Sequence, residues 1–163
     1  MATHRIAVGL NGSAGARDAL AWAIRLAARR SAAVLVVTAW PDAARDVSRR
    51  RNALRPDRLA LIRTQQGQIA AAAAAVGHHP PILRELVLSD PVTALCHAAA
   101  RADLVVVGAS RPGRPSRASV GARVEARLAA GRTRGRPVPP VVAVGSAGIL
   151  RLLAVAGGPV VRE

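Results

Sequence analysis

The chain has 163 residues, 51% of them hydrophobic, which suffices for one well-buried core and is short for two. Its net charge is +15, with 24 basic residues, all of them arginine, against nine acidic ones. Cys96 is the single cysteine, which excludes an internal disulfide and a multi-thiolate metal centre, and Trp22 and Trp40 are the only aromatic residues, too few for a base-stacking platform.

Apolar runs such as Ile69 to Val76 fall short of the ~20 residues that a bilayer span requires. The opening MATHRIAVGL moves straight into a strand pattern without a signal-peptide core, so a cytoplasmic protein is expected.

RIAVGL, Arg5 to Leu10, is a nearly continuous apolar run, as expected of a strand covered on both faces. Ser13 is placed to cap a following helix in which Ala16, Leu20, Ala23, Ile24 and Ala27 share one face. AAVLVVTAW, Ala32 to Trp40, is a second buried strand rich in β-branched residues. The polar stretch 41–56 is expected to be a loop, with Pro56 and Asp57 opening a second helix. That helix would carry Leu59, Ile62, Ile69, Ala73 and Val76 on one side and stop near Gly77; Gly67 weakens its middle by about 1 kcal/mol relative to alanine. His78 and His79 are adjacent but lack convergent ligands, so no metal is expected.

ILRELVL supplies a third strand, and Ser89, Asp90 and Pro91 form a helix-start signature. Val92, Leu95, Cys96 and Ala99 then lie on one stripe, which assigns Cys96 to core packing. DLVVVG, Asp103 to Gly108, is a fourth strand; Val120, Val124 and Leu128 mark a fourth helix that Gly131 is expected to end, and VVAVG from Val141 is a fifth strand. ILRLLAV near the C-terminus fits either a short helix or a strand.

Strands and helices alternate without a hairpin signal through the fifth strand. This calls for an α/β, doubly wound domain with a parallel sheet flanked by helices, and in such sheets a ligand sits beyond the carboxyl ends of the strands where their order reverses.

The charge is concentrated. Arg45 to Arg63 holds seven arginines against Asp46 and Asp57, and Arg111 to Arg136 holds eight against Glu125, so +5 and +7 make +12 of the +15. Two basic patches favour polyanions without sequence preference, so RNA or DNA binding is the alternative reading.

RIAVGLNGSAGARDALAWAIRLAARR, VVTAW and SDPVTALCHAAARADLVVVGASR together resemble the universal stress protein family, over roughly Arg5 to Val144 with a weak middle between Pro41 and Pro81. The resemblance implies a five-stranded parallel sheet in the order 3-2-1-4-5, of the adenine nucleotide alpha hydrolase-like kind, in residues 1–146, with 147–163 as a C-terminal extension. It also implies a homodimer supported by the final strand, which the extension would extend or block.

In the ATP-binding branch of that family, an aspartate after the first strand contacts the ribose, and a pattern G-x2-G-x9-G-[S/T] wraps the phosphates. Glycines let backbone N–H groups approach the anion, and a helix start adds its positive end. Asn11 stands at the aspartate position. Gly108 and Gly121 match the first and last glycines, Arg111 falls where the second should be, Gly113 is two residues late, and Ala122 replaces the hydroxyl residue.

Each lost group removes about one net hydrogen bond, on the order of 1 kcal/mol. Pro112 and Pro115 remove two amide donors. Arg111, Arg114 and Arg117 offer stronger charge-assisted bonds on side chains that are costly to order.

The resemblance therefore implies a universal stress protein-like binding and regulatory module for the stress response, with a weakened or vestigial ATP or AMP site. Asn11 would face the ribose, Val37 or Thr38 the base, and Gly108, Ser110, Arg111 and Gly121 the phosphates, with Val107, Gly113 and Ala122 completing the set. An enzyme is not expected, because the sequence holds no nucleophile elbow, Walker lysine, metal cluster or paired carboxylates with a neighbouring base.

Overall fold

The computed structural model describes residues 4–40, 58–76, 79–109, 119–132, 138–145 and 150–153, the last by backbone alone. Strand β1 (Arg5–Gly9) feeds helix α1 (Ala14–Arg30) through a tight turn. Ser13 is the N-cap, extended at φ −70° and ψ 159°, and its hydroxyl accepts from the Ala16 N–H. The expected apolar stripe, Ala16, Leu20, Ala23, Ile24 and Ala27, is buried throughout. The helix stops at Ser31, whose left-handed backbone (φ 50°) lets the chain turn into β2 (Ala33–Ala39).

Helix α2 (Arg58–Ala74) exists as expected, but its inner side differs from the apolar pattern. Leu59 is 57% exposed, whereas Ile69 and the polar Gln65 are buried. Among the described elements the helix packs chiefly against α1. Pro56, Asp57, Gly77 and His78 lie outside the described residues.

Strand β3 (Ile82–Val87) leads into α3 (Pro91–Ala99), where the Asp90 carboxylate accepts from the Val92 and Thr93 N–H groups and proline fills the first turn. Strand β4 (Leu104–Gly108), helix α4 (Val120–Arg132) and strand β5 (Val141–Val144) follow. Gly131 does not end α4, which includes Arg132. The ambiguous C-terminal run is a strand, β6 (Leu150–Leu153).

The sheet order is β3-β2-β1-β4-β5-β6. The first five strands are parallel, in the expected 3-2-1-4-5 order, and β6 adds itself antiparallel to β5. Alternate residues fill two layers, as the period of two in a strand requires. Ile6, Val8, Val34, Val36 and Val106 lie under α1, while Ala7, Leu35, Val37, Val105 and Val107 lie under α3 and Val124 of α4. A core without Phe or Tyr is closed by small helix faces such as Ala16, Ala19 and Ala23, which let α1 settle close to the strands.

Candidate functional site

The strand order reverses between β1 and β4, with Val8 paired to Val106, so the turn after β1 and the end of β4 share one crevice. The backbones meet there. A Cβ on Gly108 would lie 2.5 Å from the Gly15 carbonyl carbon and 2.6 Å from the Ala16 nitrogen, and one on Gly15 would lie 2.9 Å from the Ala109 oxygen. Packing of α1 on β4 therefore requires both glycines, whether or not a phosphate is bound.

Three of the polar candidates are engaged within the chain. The Asn11 side-chain oxygen accepts from the Ser13 N–H at 3.1 Å, closing the turn in which Gly12 takes φ +82°. The Ala122 N–H donates to the Ser119 hydroxyl at 3.2 Å, so serine caps α4 as Ser13 caps α1. Thr38 is buried, and its hydroxyl accepts from the Gln65 amide at 2.9 Å. Val37 and Val107 point into the α3 and α4 layer and are 2% and 4% exposed. Gly121 lies in the first turn of α4. Ser110, Arg111 and Gly113, with the intervening loop, lie outside the described residues, as do most of the two arginine clusters.

Two glutamines and one glycine escaped the sequence reading. Gln65 anchors α2 to the end of β2, and the half-buried Gln68 amide nitrogen comes within 3.8 Å of where a Cβ on Gly12 would stand. Helix α2 thus brings a polar group to the crevice rim. A glycine one position inside α1, at a site that disfavours it, was the available signal for the contact at Gly15.

Two carboxylates outside the crevice, Glu85 and Asp90, have structural partners. Arg101 grips Glu85 through two bonds of 2.6 and 2.8 Å, and that hydrogen bonding holds the Glu85 carboxyl below its usual range. Hydrogen bonds from Thr93 do the same for Asp90, while burial pushes the Cys96 thiol up, as fits a packing residue. A groove of about 720 Å³, lined by residues including Ile69, Ala73, Pro80, Ile82 and Arg84, sits near the start of β3, at the opposite end of the strands from the crevice. No helix among the described residues is long and apolar enough to cross a membrane.

A parallel sheet with glycines at its reversal point, flanked by two serine-capped helix starts, defines a doubly wound α/β domain. The universal stress protein family model matches residues 2–129, and the chain belongs to that family.

Among solved structures, one is a universal stress protein in complex with cAMP, 26% identical, with a TM-score of 0.58, covering 78% of this chain and 91% of its own. A second, from Archaeoglobus fulgidus in complex with dAMP, is 18% identical with a TM-score of 0.61, covering 88% and 98%. A third, from Burkholderia pseudomallei, is 22% identical with a TM-score of 0.51, covering 86% and 94%. The latter two show the fold alone. No curated protein matches the chain.

Proposed function

We propose that the chain is a binding and regulatory module of the stress response, not an enzyme, and that its crevice takes an adenine nucleotide such as ATP or AMP weakly. The relative in complex with cAMP supports the ligand class. The observation that carries the weakness is that Asn11, Thr38 and the Ala122 N–H each already have a partner inside the chain. The Ala122 N–H has no second hydrogen to offer, whereas Asn11 and Thr38 keep their own donors, so the bond withheld outright is about 1 kcal/mol, roughly fivefold in affinity. Gln68, beside Gly12, is the added polar contact on the rim.

The homodimer that the resemblance implies is left out of this reading, because the outer edge of β5 is already paired with β6. The polyanion alternative rests on charge alone, because most of the two arginine clusters lie outside the described residues. Titration calorimetry with ATP and AMP tests the proposal. Heat that saturates only toward millimolar ligand is expected; no heat with either removes the nucleotide, and nanomolar binding removes the weakened site.

A further inference from the structure

Among the described strands the one antiparallel pairing is at the C-terminal edge, outside the residues that the family model matches. Strand β5 reads VVAV, and both of its faces are filled: Val142 and Val144 toward α1, Val141 and Ala143 toward α3 and α4. It carries none of the devices that blunt an edge, having no charge, proline or bulge within its four residues. Left bare, it would present unpaired N–H and C=O groups to any extended strand, and a second copy of the same edge is the partner always at hand.

Strand β6 covers it. Val141 faces Leu153, Val142 faces Leu152, Ala143 faces Arg151 and Val144 faces Leu150. Only residues 145–149 join the two strands, a connection short enough for an antiparallel hairpin and too short for a parallel crossover. The new edge is itself short and has an arginine in its interior, the features that discourage further pairing.

We propose that β6 is a self-complementing edge strand: it occupies the outer edge of β5 in cis and excludes a second copy of this chain that the bare edge would recruit. A tether this short gives β6 an effective concentration of about millimolar, so a second copy at lower concentration loses the competition. The device is separate from the nucleotide crevice, and its test does not depend on a ligand.

The full chain and a variant carrying Arg151→Pro and Leu152→Pro are compared by size-exclusion chromatography with light scattering. Two adjacent prolines guarantee that an amide directed at β5 is lost. The unaltered chain is expected at the mass of one chain, 16.8 kDa, and the variant, with its circular dichroism retained, at two chains or more. An unaltered chain that runs as a dimer, or a folded variant that stays at one chain, overturns the proposal. Should the variant unfold, hydrogen exchange on the unaltered chain decides: all four amides of Val141 to Val144 are expected to be protected, and free exchange at alternate positions overturns the pairing.

Discussion

Replacing Gly108 with alanine separates the two reasons a glycine can stand at the end of β4. If it were there only to let a phosphate approach, the empty protein would tolerate a methyl group. The structure says otherwise. That methyl would sit 2.5 Å from the Gly15 carbonyl carbon, 2.6 Å from the Ala16 nitrogen and 2.7 Å from the Gly15 oxygen, where ordinary contacts begin near 3.4 Å. All three obstacles are backbone, so no side chain can rotate away, and the start of α1 must retreat by about 1 Å from a packed layer. Overpacking of this kind costs on the order of 1–3 kcal/mol, and in a chain of this size each kcal/mol lowers Tm by roughly 2–4 °C. The control is Gly67→Ala, in a helix interior with nothing within 4 Å, where about 1 kcal/mol of added stability is expected. Thermal unfolding followed by circular dichroism without nucleotide measures both. A G108A protein within about 0.5 kcal/mol of the parent would refute the packing argument.

Other substitutions probe the remaining contacts. Thr38→Val leaves the buried Gln65 amide with only a 3.4 Å contact to the Glu85 carbonyl, and a loss of about 1–3 kcal/mol is expected in urea unfolding. Adding Gln65→Leu should recover part of it, and strictly additive losses would count against the pair. Asn11→Asp keeps an acceptor for the Ser13 N–H and adds negative charge before α1, for about 0.3–1 kcal/mol of stability. It should also tighten AMP binding in calorimetry; unchanged affinity would remove Asn11 from the ribose contact. Because Arg101 holds the Glu85 carboxyl below its usual range, the pair stabilises the fold above that range, and the contribution is lost as pH falls through the lowered value. The stability gap between the parent and Glu85→Gln should therefore close on acidification, and a gap independent of pH would refute the assignment.

Features decided by neighbours in sequence were the legible ones. Ser13 and Asp90 cap helices because the groups they satisfy lie within three residues, and the α1 stripe follows from helical spacing alone. Strand order was not written in that periodicity; it came from the resemblance, and the pairings bear it out. A four-residue apolar run such as Leu150 to Leu153 does not distinguish helix from strand until an open edge is known to lie beside it. Gln65 was invisible for a related reason. Its burial depends on a hydroxyl 27 residues away, and hydrophobic patterning assigns every glutamine to the surface. The sequence shows Gly108 as the first glycine of a phosphate pattern, but its packing role needs Gly15, which only the fold brings near.

Where Gly15 and Gly108 touch, main chain rests on main chain, with no rotamers in between to take up slack. One jaw of the crevice is therefore stiff by construction. Adaptation to ligands of different shape falls to the opposite jaw, where the half-buried Gln68 side chain of α2 stands beside Gly12.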